Sequence, residues 1–183
     1  MGYEAALKNA WDKLTDAAGE RKFSVKLLAD EYSVDLDSRK VLSLSCNAPA
    51  KDYTAILILH YLVAKAKGLP RIKEEWLTFR ELAGVEGYEQ AFRQRVIERI
   101  IKKYGKNSEG LLSVLERLPG KKIAQADVAV VLDVFSGVPA LLEMWKADDE
   151  FGAEANLLFD ASIKEIYCIE DIVVLAEFIV SQL

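Results

Sequence analysis

The 183-residue chain is short of several residue types on which recognisable chemistries depend. It has one histidine, His60, and two cysteines, Cys46 and Cys168, which lie far apart and form no CxxC pair. A disulfide framework, a zinc ribbon or a thiolate-held iron–sulfur cluster needs more ligands at closer spacing, so none is expected. Both thiols are expected to be reduced, in a cytoplasmic compartment. No GxxxxGK[ST] loop occurs and no GxGxxG follows a strand-like segment, which excludes phosphate binding through those loops. The nucleophile elbow GxSxG is missing as well, and a catalytic triad would have to recruit His60 from the middle of an apolar segment. Long hydrophobic runs are also lacking. The longest, Tyr53 to Ala64, is interrupted by Thr54 and His60 and falls short of the roughly 20 residues that span a bilayer. Met1-Gly2-Tyr3-Glu4 has neither the basic start nor the apolar stretch of a secretory signal, so no export is expected.

What the chain does have is an ordinary apolar content of 51% and a charged content of 29%, enough to bury a core without staples. Twenty-four basic residues against twenty-nine acidic ones leave a net charge of −5. A protein of that sign has no global attraction for phosphate backbones, which disfavours nucleic acid as a partner. The average hides a gradient. Arg93 to Lys122 carries nine basic and three acidic residues, whereas Glu143 to Asp171 carries nine acidic and two basic. Two readings stay open: the segments pair with each other or sit solvated, or they form a dipole that guides an anionic ligand or a complementary partner.

Periodicity divides the chain into short elements. Tyr3, Leu7, Ala10, Trp11, Leu14 and Ala18 recur at helical spacing, with Gly19 as a stop. From Phe23 to Cys46 apolar residues alternate in two or three short antiparallel strands. Asn47 and Pro49 open a helix that runs to about Lys67 and ends at Gly68 and Pro70. Its apolar residues cover more than one stripe, so it is read as the central, buried helix. Thr78 caps a short turn. Tyr88, Phe92, Val96, Ile100 and Tyr104 then recur at steps of four opposite Arg93, Arg95, Arg99 and Lys103, a helix with one basic face. Ser108 to Leu118 is a further short helix. Val128–Phe135 and Ala140–Trp145, joined through Ser136-Gly137-Val138-Pro139, read as a hairpin of central strands, with a third strand at Ala155–Phe159 and a last helix from Ile169 or Glu170 to Ser181. Strands, then helices, then strands again imply an α+β fold. We read one domain over residues 1–183, with an antiparallel or mixed sheet from the N- and C-terminal strands packed around the central helix.

Three groups of residues could carry function. Asp148, Asp149 and Glu150, bracketed by Trp145 and Phe151 at the end of a strand, could raise one another's pKa or bind a hard cation; otherwise they are a solvated loop. Trp76 and Arg80, ahead of Gly84 and Gly87, could form a pocket wall in which Arg80 pairs a carboxylate; otherwise they staple the loop to the core. His60 could be an axial ligand to a metal or tetrapyrrole, or a hydrogen-bonded core histidine.

Tyr61-Leu62 after His60, the segment Glu75 to Leu82, Gly87-Tyr88 with Phe92, and Trp145 with Asp148 to Phe151 and Leu157-Leu158-Phe159-Asp160 together resemble domain of unknown function 3786, a prokaryotic family. That family usually reads Gly-Asp-Glu-Glu-Phe-Pro at the acidic block, where this chain has Ala147, Asp149 and Gly152 instead. The resemblance implies no catalytic residue. It does imply an anaerobic setting, since members of the family are typical of anaerobic bacteria and archaea; some relatives also carry a four-cysteine iron–sulfur domain of the kind found in corrinoid proteins, and this chain shows no such block. The expected role is therefore a binding or accessory domain, with a small-molecule cofactor or a corrinoid or iron–sulfur protein as partner. The alternatives are a metal-assisted enzyme using the Asp148 block and a protein–protein module. The cofactor and the oligomeric state stay open.

Overall fold

In the computed structural model, which describes residues 3–183, the chain begins with α1 (Glu4–Ala17). A four-stranded antiparallel meander follows: β1 (Lys22–Leu27), β2 (Asp30–Asp35), β3 (Lys40–Ser43) and β4 (Ala48–Pro49). Asn47, at φ 50°, turns the chain so that Ala48 and Pro49 pair with Ser43 and Leu42. The next helix, α2 (Asp52–Ala66), therefore starts a few residues later than the Asn47–Pro49 signal suggests. Gly68 ends it at φ 91°, ahead of Pro70.

Leu57, Ile58 and Leu59 of α2 are fully enclosed, so the apolar helix is internal as its unstriped pattern predicts. Helix α1 packs along it, and α5 (Ile169–Gln182) packs on another side. Two tyrosines anchor it. The Tyr61 hydroxyl donates to the Ser136 carbonyl (2.9 Å) with its ring stacked on Phe135, and the Tyr167 hydroxyl donates to the Leu57 carbonyl (3.0 Å). No helix among the described residues is long and apolar enough to cross a membrane.

The second sheet has five antiparallel strands in the order β5 (Trp76–Thr78), β9 (Glu154–Asp160), β8 (Val138–Trp145), β7 (Val128–Phe135) and β6 (Gly120–Ile123). Gly137, at φ 80°, makes the tight β7–β8 turn. Strands β7 and β8 are buried on both faces, as their near-continuous hydrophobicity predicts. The inner face joins the main core; the outer face groups Ala129, Val131, Leu141 and Leu158 beneath Trp76 and Ile123.

The fold is thus α+β and antiparallel, with one main core that draws on both sheets and all the α-helices. The strands from the two ends of the chain divide between two sheets instead of sharing one. Strands adjacent in sequence pair with each other first, and each group completes its own ladder. The sheets meet where the Leu28 N–H donates to the Val134 carbonyl (2.8 Å).

Helix 89–104 runs beside β9 and has three parts: α3 (Glu89–Phe92), a π-helical segment (Arg93–Ile97) and α4 (Glu98–Tyr104). Phe92, Val96, Ile100 and Tyr104 are all buried. On a regular α-helix a step of four overshoots a full turn by about 40°, and the stripe would drift away from the core. The wider π turn removes part of that rotation and keeps the stripe on one side.

Candidate functional site

Candidate residues from the sequence fall in three separate places. The first is the end of β5. Trp76, Leu77 and Thr78 pair with Asp160, Phe159 and Leu158, so two of the sequence blocks that carry the family resemblance are neighbouring strands. Thr78 then caps the 3-10 turn Phe79–Glu81: its N–H and hydroxyl both donate to Glu81 Oε2, at 2.7 and 2.8 Å. That turn swings Arg80 toward helix 89–104 and stacks Phe79 on Phe92, with ring centroids 4.0 Å apart.

Between the turn, helix 89–104 and β9 lies a cleft of about 270 Å³. Phe79, Phe92, Ile97 and Leu157 line its apolar part, and Arg80 and Arg93 flank it. Arg80 approaches Glu89 at 3.5 Å and Arg93 approaches Glu98 at 3.7 Å, and both side chains are mostly exposed. Neither guanidinium donates a hydrogen bond to any described residue. A second depression of about 250 Å³ shares Arg93, Ile97, Ala155 and Asn156 with the first and extends to Ile101 and Gly152. Together they form a groove along the N-terminal half of β9. The π segment supplies Arg93 and Ile97 to both depressions. Arg93 and the groove were not singled out by sequence reasoning. The step-of-four stripe was the available signal, because its regularity is incompatible with an undistorted α-helix.

Trp76 faces away from this groove, over the outer cluster of the sheet, and Trp145 lies half-buried at the far end of β8, paired with Glu154. The acidic block is elsewhere again. Asp148 accepts the N–H groups of Glu150 (2.8 Å) and Phe151 (2.7 Å), and its own N–H donates to the Phe151 carbonyl (2.9 Å). Those two backbone donors hold the Asp148 carboxyl below its ordinary value, the opposite of the mutual elevation expected from sequence. Asp149, Glu150 and Phe151 are exposed, Phe151 at 67%. No group of three or more His, Cys, Asp or Glu side chains among the described residues is arranged to hold a metal ion. The loop is a self-closed turn facing solvent, and Trp76, Arg80, Trp145 and the acidic residues do not line one described cleft.

His60 sits on α2 facing α5, where its Nδ1 lies 2.7 Å from Asp171 Oδ2. Its carboxylate partner comes from 111 residues away, which is why no local motif showed it. Cys168, next to this pair, has its thiol pushed up to about 11, first by burial and then by the nearby Asp171 and Glu170. It stays a thiol at neutral pH, so the His60–Asp171 pair has no activated sulfur beside it. None of the five clefts described is lined by His60.

Asp160, only 1% exposed, ends β9. Its Oδ1 accepts the N–H groups of Lys73 and Ser162, both at 3.0 Å, while Oδ2 is buried without a partner among the described residues. Burial pushes this carboxyl up, but the donors outweigh it, and the net position is below the ordinary value. Asp160 ties down the segment before β5, where Glu74 takes a left-handed φ of 58°.

Residues 10–182, nearly the whole chain, match the model of the family described as Domain of unknown function (DUF3786). The chain belongs to that family. No curated protein and no solved structure matches it. Within this DUF3786 domain, the family blocks have distinct places. Tyr61 fastens the central helix to the β7–β8 turn, the Glu75–Leu82 and Leu157–Asp160 blocks form β5 and its β9 partner, and Tyr88 and Phe92 begin the helix that walls the groove.

Proposed function

We propose that this DUF3786 chain is a binding or accessory domain that receives an anionic group in the groove between Arg80 and Arg93. One observation carries the reading: two exposed guanidiniums without internal hydrogen bonds flank an apolar cleft of about 270 Å³. A carboxylate or phosphate placed there would take the donors that neither Glu89 nor Glu98 occupies. The basic helix adds to the attraction. No ion pair among the described residues joins a basic group of 93–122 to an acidic group of 143–171; the single bridge between the segments, Lys146–Glu109 at 3.0 Å, runs the other way. The two charged segments are not joined by close ion pairs of that sense, while Glu154 of the acidic segment lines the second depression beside Arg93.

A corrinoid or other cofactor with His60 as axial ligand has less in its favour, since His60 lines none of the described clefts, although Asp171 takes only its Nδ1 and leaves Nε2 open. The cation reading of the acidic block fares no better, because those carboxylates are exposed and no three ligand-type side chains among the described residues are grouped to hold a metal. The test is amide NMR with inorganic phosphate and N-acetylglutamate at millimolar concentration. The expected result is saturable shifts at Arg93 and Ile97 that vanish in the Arg80→Ala/Arg93→Ala double variant. Shifts that persist in the double variant, or are absent throughout, overturn the reading.

A further inference from the structure

A separate cleft of about 520 Å³ lies where helix 89–104 and strand β8 end, and it shares no lining residue with the groove beside Arg80 and Arg93. Lys106, Asn107, Ser108, Glu109 and Lys146 line it. Ser108 and Glu109 begin the nine-residue 3-10 helix Ser108–Glu116. Such a helix starts with N–H groups that its own turns cannot bond. The Gly110 N–H donates to the Asn107 carbonyl (3.0 Å), but nothing among the described residues accepts the N–H groups of Ser108 and Glu109. A capping side chain normally takes them. Asn107 is of the right type, yet its amide lies beside Gly110 and caps nothing.

An independent feature points the same way. Ser108 is only 4% exposed, and its Oγ is enclosed without a hydrogen-bond partner among the described residues. The side chains of a helix tilt toward its N-terminus, so the hydroxyl of this first residue is directed at the cleft end. A hydroxyl enclosed without a partner works against the fold, and a ligand that accepts from it removes that cost.

Charge decides the kind of ligand. The lining side chains carry two ammonium groups, Lys106 and Lys146, against one carboxylate, Glu109. Lys106 enters no ion pair among the described residues, and Lys146 Nζ lies 3.0 Å from Glu109 Oε1 in a pair whose members are both more than half exposed. The Lys146 N–H donates to Asp127 Oδ2 (2.8 Å), which fixes the backbone from which that ammonium reaches. The acidic turn follows directly, but Asp148 is bonded within it, and none of residues 148–150 lines the cleft.

We infer that this cleft binds a phosphate group, either free or as the terminal monoester of a small molecule. The Ser108 and Glu109 N–H groups and the Ser108 hydroxyl donate to its oxygens, Lys106 and Lys146 neutralise it, and Glu109 gives way from Lys146. Phosphate is favoured over carboxylate because the donors outnumber the two oxygens of a carboxylate, whereas a phosphate monoester presents three and a second charge.

The experiment is amide NMR of the unmodified protein at constant ionic strength, titrated with inorganic phosphate and, separately, with glycerol 3-phosphate. Saturable shifts are expected at Ser108 and Glu109. They should survive in the Arg80→Ala/Arg93→Ala variant, which separates this site from the groove of the proposed function. The tighter of the two probes identifies the source of the phosphate. Binding should weaken about ten-fold or more in Lys106→Ala/Lys146→Ala and about five-fold in Ser108→Ala, and it should tighten in Glu109→Gln. Ser108→Ala should also keep or raise the urea midpoint, because it removes an unmatched hydroxyl. A Ser108→Ala protein that loses stability and keeps its affinity overturns the inference, as does the lack of saturable shifts at Ser108 and Glu109 with either probe. Shifts at Arg93 alone leave only the groove reading, and shifts at Ser108 and Glu109 alone leave only this one.

Discussion

The two halves of β9 come from one uninterrupted strand yet face opposite circumstances. From Leu158 to Asp160 the strand is paired on both sides, and Asp160 locks the incoming chain through Lys73 and Ser162. From Glu154 to Leu157 it is paired with β8 alone, next to a groove with two underused arginines. One half has a strand on either side, and the other keeps Ala155 and Leu157 buried with no strand opposite them on the β5 side. The difference teaches where to look in a domain that lacks a catalytic signature: a binding surface shows itself by unused hydrogen-bonding capacity next to apolar walls, not by the density of charged residues. The acidic block illustrates the converse. It is the longest consecutive run of acidic residues in the chain, but its one hydrogen-bonded carboxylate is consumed by its own turn.

Hydrogen exchange offers the largest contrast. The Phe159 amide, laddered between β8 and β5, should exchange only through extensive unfolding, whereas Ala155 and Leu157 should exchange on the order of a thousand-fold faster or more. Equal protection in the free protein would mean that the edge is closed by something other than β5. Next in size is the lock. Asp160→Ala removes a buried acceptor from two N–H groups and should cost about 2–4 kcal/mol in urea unfolding. Its folded carboxyl lies below the unfolded value, so its contribution is present above the ordinary value of 3.8 and is lost as pH falls through the lower folded value. The gap in stability between the parent and Asp160→Asn should accordingly narrow between pH 5 and pH 2, in a pH window read from roughly the ordinary carboxylate range. A gap independent of pH would show that the carboxylate charge has no part in the lock. The smallest effect belongs to the solvated turn: Asp148→Ala should leave the melting midpoint unchanged within error, and a clear loss would mean that the turn supports the groove end at Gly152.

Most of the element order was legible from apolar spacing. Strands β7 and β8 were readable because a central strand buried on both faces needs an unbroken apolar run, and α2 because an enclosed helix needs apolar residues on more than one stripe. The start of α2 was displaced because the pairing of Ala48 and Pro49 with β3 is a cross-strand property that capping residues do not record. Of the candidate site, Arg80 was legible and its groove was not. Arg93 looked like any residue of a basic helix face, and the Asp171 partner of His60 sits beyond the reach of any local pattern.

By itself, the sequence determined which segments are apolar enough to bury, where glycine and proline break them, and that no common nucleotide loop or hydrolase elbow is present. These are local matters, set by each residue's own chemistry and its near neighbours. Only the tertiary structure decided that β5 stops after three residues, that helix 89–104 packs beside β9 with a cleft at its start, and that Ala155 and Leu157 have no strand opposite them on the β5 side. Such features depend on where distant segments run out of partners, and hydrogen-bond satisfaction is accounted over the whole fold, not along the chain.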